Sequence, residues 1–206
     1  MNAKNLGIGE MIKLGLVLVC YAVASCAVLA LVNNFTLPKI KQNQIDKANA
    51  AMKQVFPSAD SFEPVFDFEK SEVSVITLSD FYLVKQNEKV IGGIMQASGP
   101  TYDKGKIIVG VRTDGAVEGM RILELSDSPG FGLKAIDSSY KLANGLTFYN
   151  QFAGKSAAAP FVVNQNFDGI SGATVTSKGI GDLVTQATVS MLKYFKSVKS
   201  EGVVNE

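Results

Sequence analysis

The sequence of 206 residues contains no histidine, and its only two cysteines, Cys20 and Cys26, lie in one apolar run near the N-terminus. The remainder of the chain therefore has neither thiolate nor imidazole groups. This argues against zinc, iron–sulfur or histidine-ligated haem sites there, and against catalysis that depends on histidine. Any redox chemistry in that part of the chain must come from an organic cofactor.

The chain also lacks an excess of charge of either sign, because its formal net charge is +1. It contains no basic run with interleaved aromatic residues, so nothing in it indicates a nucleic-acid partner. Its length allows one sizeable domain plus an accessory element.

The apolar run covers residues 14–32, contains no charged residue and is rich in Leu, Val and Ala. Its length is close to the roughly 20 residues that cross a bilayer as a helix. We therefore predict a short N-terminus over 1–13 and one transmembrane helix over 14–33. A signal peptide, or a lipoprotein processed at Cys26 within Val23-Ala24-Ser25-Cys26, is the alternative. The apolar run continues for six residues beyond Cys26, which favours an uncleaved anchor.

Residues 34–60 are predicted to form a stalk helix and a linker. Ile45, Ala48, Met52 and Val55 recur at helical spacing, and Pro57 is expected to end the helix. A surface helix of the following domain fits the same pattern equally well.

Residues 61–206 are predicted to form an α+β domain with an antiparallel sheet and flanking helices. Short runs rich in β-branched and aromatic residues predict the strands, and Asn87-Glu88 and Asp114-Gly115 predict hairpin turns. Gly92-Gly93 within a strand indicates a bulge or a close backbone approach. The predicted strand segments are 73–78, 81–86, 89–97, 106–112 and 117–125.

A long amphipathic helix is predicted near the C-terminus, where apolar residues from Ile180 to Phe195 recur at three- and four-residue steps. The stretch from Asp168 to Ser177, just before and into this helix, is rich in Gly, Ser and Thr. These residue types are ordinary caps and turns, but the start of a helix also binds phosphate through its free N–H groups and its dipole. The stretch is neither a P-loop nor a G-x-G-x-x-G motif.

Residues 168–174, Asp-Gly-Ile-Ser-Gly-Ala-Thr, resemble the flavinylation motif of FMN-binding domains. That family includes the G subunit of the Rnf electron-transport complex and the C subunit of the sodium-pumping NADH:quinone reductase. Residues 127–132, Asp-Ser-Pro-Gly-Phe-Gly, resemble its Glu-Thr-Pro-Gly-Leu-Gly loop with three conservative replacements. The resemblance extends over nearly the whole chain.

The resemblance implies that a flavin transferase attaches FMN covalently, through its phosphate, to Thr174. The expected cofactor-binding residues around the acceptor are Asp168, Gly169, Ser171, Gly172, Ala173 and Thr176. The second loop reads as a Pro-Gly turn, but it is also a candidate flavin-side loop. In that interpretation Phe131 and Leu133 pack on the isoalloxazine ring and Lys134 places a charge near it. The expected residues of this loop are Ser128, Gly130, Phe131, Leu133 and Lys134.

The implied function is that of an electron-carrying redox subunit of an Rnf-type complex, which couples ferredoxin:NAD⁺ electron transfer to Na⁺ or H⁺ translocation. The implied partners are the other subunits, the flavin transferase and the membrane, with a cytoplasmic N-terminus and an extracytoplasmic C-terminal domain. A C subunit of the sodium-pumping reductase is a second interpretation, although such chains tend to be longer. A non-redox extracytoplasmic binding module or lipoprotein is a third.

We predict that the chain crosses the membrane once, through residues 14–33, and keeps its N-terminus. A tag at each end should give opposite results in protease protection of intact vesicles. A mature protein that begins at Cys26 and carries lipid would establish the lipoprotein alternative instead.

Overall fold

The structure is a computed structural model that describes residues 8–202, with side chains as far as Val198. The chain divides into two compact units, Met1–Asp46 and Lys47–Glu206. The predicted boundaries after residues 33 and 60 remain predictions, because the helix that contains the apolar run continues through the first of them without a break.

Helix α1, Ile8–Val55, contains the whole predicted transmembrane segment and most of the predicted stalk. Every residue from 8 to 46 is exposed. An 18-residue window of this helix has a mean hydropathy of 2.5, so by length and composition it is able to cross a membrane. The helix ends at Val55, just before Pro57, as the sequence predicts.

The second unit contains a five-stranded antiparallel sheet in the order β1-β2-β3-β4-β5, which confirms the predicted α+β class. Strand β1 was not among the predicted strands, because Glu63 and Pro64 interrupt its apolar pattern and it pairs only as an edge strand. Residues 73–76 were predicted to begin a strand but precede it as turns. The strands are β1 Ser61–Val65, β2 Thr77–Gln86, β3 Lys89–Pro100, β4 Lys104–Arg112 and β5 Val117–Leu125.

The two predicted hairpin turns are confirmed. Asn87 and Glu88 have φ values of 49° and 63°, as a two-residue turn between right-twisted strands requires. Gly115, with φ 86°, closes the β4–β5 turn through an N–H bond to the carbonyl of Arg112. Gly92 lies beside an irregularity in the β2–β3 register, and a Cβ atom there would lie 2.5 Å from the backbone oxygen of Val111. Both observations agree with the predicted bulge or close backbone approach.

Each face of the sheet is covered by helical residues of the same unit. Helix α2, Thr174–Gly202, lies on one face and fully buries Ile180, Leu183 and Val184. The last residues of α1, from Ala51 to Val55, and Phe56 pack against the opposite face on Val84, Ile94 and Ile108. This part of the predicted stalk therefore belongs to the domain core.

The segment between β5 and α2 has little regular structure. Its helical pieces are the short 3₁₀ helices Gly132–Ala135 and Asn150–Phe152. Phe148 and Phe152 are fully buried and contact Phe167. This cluster anchors the segment that leads into α2.

We predict that Gly92→Ala destabilises the domain by about 1–3 kcal/mol, the usual range for overpacking. A Cβ atom at Gly92 would lie 2.5 Å from the backbone oxygen of Val111 and 2.7 Å from Cζ of Phe56. Gly119→Ala is the matched control, because its nearest neighbour would lie at 3.8 Å. Urea denaturation of the full chain in detergent, followed by circular dichroism, measures both. Equal free energies of unfolding for the two variants would contradict the prediction.

Candidate functional site

Three segments that are distant in sequence converge at one end of the domain. They are the β3–β4 turn, the loop that follows β5 and the start of α2. Together they surround a cavity of about 550 Å³, a size typical of small-molecule sites. The lining residues are Tyr102, Ser128, Pro129, Phe131, Gly132, Gly172, Ala173, Thr174, Val175 and Thr176.

The carboxylate of Asp127 joins the three segments behind this cavity. Asp127 is only 3% exposed. It accepts hydrogen bonds from Thr101 Oγ1 at 2.6 Å, Asp103 N at 3.0 Å and Tyr102 N at 3.3 Å in the β3–β4 turn. It also accepts one from Thr176 Oγ1 in α2 at 2.5 Å. One side chain therefore fixes the turn and the helix start against the loop.

These hydrogen bonds keep Asp127 ionised. Burial alone would raise the pKa of Asp127, but the bonds from Thr101, Thr176, Asp103 and Tyr102 together hold it below its ordinary value. A buried carboxylate with this many donors is stable as an anion. Its charge also complements the positive end of the α2 dipole.

Glycines allow the segments to approach this closely. A Cβ atom at Gly132 would lie 2.6 Å from both Cβ of Asp127 and Oγ1 of Thr176. A Cβ atom at Gly179 would lie 2.6 Å from the backbone oxygen of Pro100 and 2.7 Å from Cα of Thr101. Larger residues at either position would push α2 away from the loop or the turn.

The residues before α2 form a tight turn stabilised by Ser177. Its Oγ accepts a bond from Ile170 N at 3.0 Å and donates one to the Ala173 carbonyl at 2.9 Å. Ala173 N donates to the Ile170 carbonyl, and Gly172 has a φ of 78° that favours glycine. Thr174 follows this turn as the first residue of α2.

The two threonines of the motif have different environments. Thr174 is exposed at the edge of the cavity. Thr176 is 1% exposed, and its hydroxyl is bonded to Asp127. By helix geometry the first N–H groups of α2 have no acceptor within the helix, and its first turn contains no acidic residue. The arrangement therefore offers a free hydroxyl next to a site suited to an anion.

The structure brings six of the twelve predicted site residues to the cavity. Three of the others, at or near the start of the motif, lie elsewhere. Ser171 is exposed but does not line the cavity, and Asp168 lines a separate polar cavity. Buried Gln151 bonds to both backbone groups of Asp168, at 2.8 and 3.0 Å. Gly169 lies against Val163, so this part of the motif is anchored independently of the cavity.

The remaining predicted residues of the second loop also lie outside the lining. Gly130 has a φ of 76°, so it forms the predicted turn. Leu133 is half-buried, and the ammonium group of Lys134 lies 5.2 Å from the centre of the Tyr140 ring. A cation in that position interacts with the aromatic face. Contacts of these three residues with a flavin remain predictions.

Several residues of the site were absent from the predicted set. Tyr102 and Val175 are 68% and 56% exposed and give the cavity an apolar rim together with Phe131. Asp127 and Gly132 belong to the loop over residues 127–132 that resembles the family's motif, so this resemblance could have identified them. Tyr102 carries no such signal, since it is one aromatic residue in a β-turn.

Two parts of the sequence match known protein families. Residues 102–189 match the FMN-binding domain family, and residues 1–55 match the RnfG N-terminal region. The first match contains every residue that lines the cavity. The class of protein is thus an FMN-binding domain preceded by an RnfG-type N-terminal segment.

Individual relatives agree with this class. The G subunit of the Na⁺-translocating ferredoxin:NAD⁺ oxidoreductase complex of Acetobacterium woodii is 34% identical over 187 residues, which is 82% of this chain and 85% of the relative. The G subunit of the proton-translocating ferredoxin:NAD⁺ oxidoreductase complex of Clostridium ljungdahlii is 28% identical over 78% of this chain and 83% of the relative. The G subunit of the ion-translocating oxidoreductase complex of Escherichia coli K12 is 27% identical, with 85% and 88% covered. The chain belongs to the family of G subunits of Rnf-type ion-translocating oxidoreductase complexes.

We predict that Asp127→Asn destabilises the domain by about 2 kcal/mol at pH 7, because hydrogen bonds to a charged acceptor are lost. The folded-state pKa of Asp127 is lowered, so its contribution is complete above the ordinary carboxyl pKa of about 3.9. That contribution is lost as the pH falls through the lower folded-state pKa. The difference between the two proteins in free energy of unfolding should therefore shrink only in strongly acidic solution.

The measurement is urea denaturation of the full chain in detergent at several pH values. Asp67→Asn, an exposed carboxylate away from the cavity, is the matched control and should match the unmodified chain throughout. A difference for Asp127→Asn that is absent at pH 7, or that grows on acidification, would contradict the proposed hydrogen-bond network.

Proposed function

We propose that this chain is the electron-carrying G subunit of a membrane-bound Rnf-type complex that couples ferredoxin:NAD⁺ electron transfer to Na⁺ or H⁺ translocation. The observation that carries the proposal is an FMN-binding domain whose cavity lies beside an exposed threonine at a helix start. The names of the relatives support membership of such a complex and its coupling to ion translocation, since they describe subunits of a Na⁺-translocating and of a proton-translocating ferredoxin:NAD⁺ oxidoreductase complex. They also favour an Rnf-type complex over the sodium-pumping quinone reductase.

The residues of the cavity suit FMN. The exposed side chains of Tyr102, Phe131 and Val175 form an apolar rim that would hold a planar aromatic ring. The start of α2 would hold the phosphate through free N–H groups. The carboxylate of Asp127 is stabilised by the hydrogen bonds that it accepts. Gly132 and Thr176 line the cavity and Asp127 does not, so its negative charge does not face the space that the flavin needs.

We further propose that FMN is bound covalently, through a phosphoester to Thr174. Formation of the ester breaks the Oγ1–H bond of Thr174 and the bond between the flavin phosphorus and the leaving group of an activated flavin nucleotide, and it forms the Oγ1–P bond. The proton and the leaving group are released in the flavin transferase. Thr174 is accessible for this reaction, whereas the hydroxyl of Thr176 is buried and already bonded.

Bound FMN supplies electron transfer, for which no side chain of this chain outside the apolar run is suited. The residues of the chain position it and shield it from water. Asp127 and Gly132 hold the start of α2, while Tyr102 and Phe131 reduce the access of water to the ring. An electron carrier needs no acid, base or nucleophile of its own, so none of these residues has a catalytic role in the proposal.

The proposed partners follow from this function. Residues 14–33 anchor the chain in the membrane beside the other subunits, and the C-terminal domain lies on the extracytoplasmic side. There the flavin transferase loads Thr174.

We predict that Thr174→Ala gives a folded, membrane-bound subunit without covalent flavin. Thr174 is exposed, so the loss of its side chain should cost little stability. Peptide mass spectrometry should find the flavin on Thr174 in the unmodified chain, and in-gel flavin fluorescence should vanish in the variant. Thr174→Ser should keep part of it. Thr77→Ala, at an exposed threonine on β2, is the matched control and should stay fluorescent.

The same variants test the electron-transfer role. Ferredoxin-dependent NAD⁺ reduction in membranes should stop in Thr174→Ala and continue in Thr77→Ala. A flavin adduct on Thr176 would contradict the acceptor assignment. Full activity of a Thr174→Ala complex whose subunit carries no flavin would contradict the electron-carrying role.

A further inference from the structure

A groove of about 640 Å³ lies beside the last described turns of α2, far from the cavity at the start of that helix. The segment between β1 and β2 forms one wall of the groove, and α2 forms the other. At 1.5 Å per residue, Tyr194 in this wall lies about 30 Å along the helix from Thr174. The groove is therefore separate from the proposed flavin site. Its lining includes Phe66, Asp67, Glu69, Lys193, Tyr194 and Val198.

The side chain of Phe66 contributes nothing to the domain core. It is 91% exposed, more than any other large apolar side chain in the part of the chain that the structure describes. Phe68, two residues later, instead packs on Phe81 with the ring centres 5.7 Å apart and joins the core. The segment thus uses one phenylalanine as an anchor and leaves another in solvent. A large aromatic side chain exposed beside a groove is typical of a protein–protein contact.

Polar contacts hold the segment between β1 and β2 against α2. Ser190 Oγ donates a hydrogen bond to the carbonyl of Glu69 at 2.7 Å. Lys193 Nζ donates to the carboxylates of Glu69 and Glu72 at 2.7 and 2.8 Å. Gln186 Oε1 accepts a bond from Glu72 N at 3.1 Å. A segment fixed in this way loses little conformational freedom when a partner binds, so the groove is preorganised for binding.

The groove carries a surplus of negative charge. Glu69 and Glu72 share the single ammonium group of Lys193. Asp67 also lines the groove, and among the described residues it takes part in no ion pair. Lys70 belongs to the same segment but does not line the groove. A cationic partner therefore complements this surface, whereas an anionic lipid surface would be repelled. A second copy bound by two-fold symmetry would place the same acidic groups opposite each other.

We propose that this groove binds a segment of another subunit of the same complex, in which an apolar side chain lies next to a lysine or arginine. This inference rests on the proposed function, because that function supplies the complex. The apolar side chain of the partner packs against Phe66 and Tyr194, and its cation pairs with Asp67. The contact holds the domain, and with it the flavin, at a fixed position relative to the neighbouring subunit.

The test is site-specific photocrosslinking in membranes that contain the whole complex, which is then purified through a tag on this chain. In one variant the photoreactive residue p-benzoylphenylalanine replaces Phe66. In the control variant it replaces Val75, which is 62% exposed in the same segment but does not line the groove. We expect a crosslink to another subunit from position 66 and none from position 75. Mass spectrometry should place the crosslinked site within a few residues of a lysine or arginine.

Charge reversal tests the ionic part of the contact. Asp67→Lys should lower the yield of the crosslink from position 66 by about tenfold, because like charges that face each other across an interface are strongly unfavourable. Glu88→Lys, in the exposed β2–β3 turn outside the groove, is the matched control and should leave the yield unchanged. Replacement of the partner's lysine or arginine by glutamate should restore the yield in Asp67→Lys. All variants should keep flavin fluorescence, since none of the changed residues lines the flavin cavity.

An intact complex without a crosslink from position 66 would overturn the inference. So would a crosslink only to lipid, to a second copy of this chain or within the chain itself, and so would a yield that Asp67→Lys leaves unchanged. Failure to recover any other Rnf-type subunit with the unmodified chain would instead overturn the proposed function, so the two failures are distinguishable.

Discussion

The buried carboxylate of Asp127 is the constraint on which the rest of the site depends. An ionised group in the protein interior is stable only when hydrogen bonds replace its lost hydration. Asp127 obtains these bonds from the β3–β4 turn and from Thr176 in α2. The turn, the loop and the helix start therefore cannot move independently. The absence of a side chain at Gly132 is part of the same constraint, because a Cβ atom there would separate Asp127 from Thr176.

The proposed acceptor residue is presented on a stretch that is fixed at both of its ends. At one end, Gln151 forms hydrogen bonds with the backbone of Asp168, and Ile170 is buried in the core. At the other end, the hydroxyl of Thr176 donates a hydrogen bond to Asp127. Thr174 lies between these anchors and remains exposed. A cofactor attached there would have a defined position relative to the apolar rim. A fixed position suits an electron carrier, because rates of electron transfer depend on the distance between centres.

Periodic and local features of the fold were predictable from the sequence, and long-range polar contacts were not. The apolar steps from Ile180 to Phe195 predicted α2, and Asn87-Glu88 predicted a tight turn, because both signals lie within a few residues. Asp127 is separated from Thr101 by 26 residues and from Thr176 by 49, and no periodicity encodes such pairs. Strand β1 was missed because pairing with β2, not its own composition, makes it a strand. Thr174 was identified only through the family resemblance, since by physical chemistry alone the stretch is a capped helix start.

An experimental structure of the flavin-loaded protein tests the central claim most directly. We predict continuous density from Oγ1 of Thr174 to a phosphate at the start of α2, with the flavin ring against Tyr102 and Phe131. The hydrogen bond between Asp127 and Thr176 should be intact. Density for the flavin on another residue, or a ring outside the cavity between the β5 loop and α2, would contradict the claim.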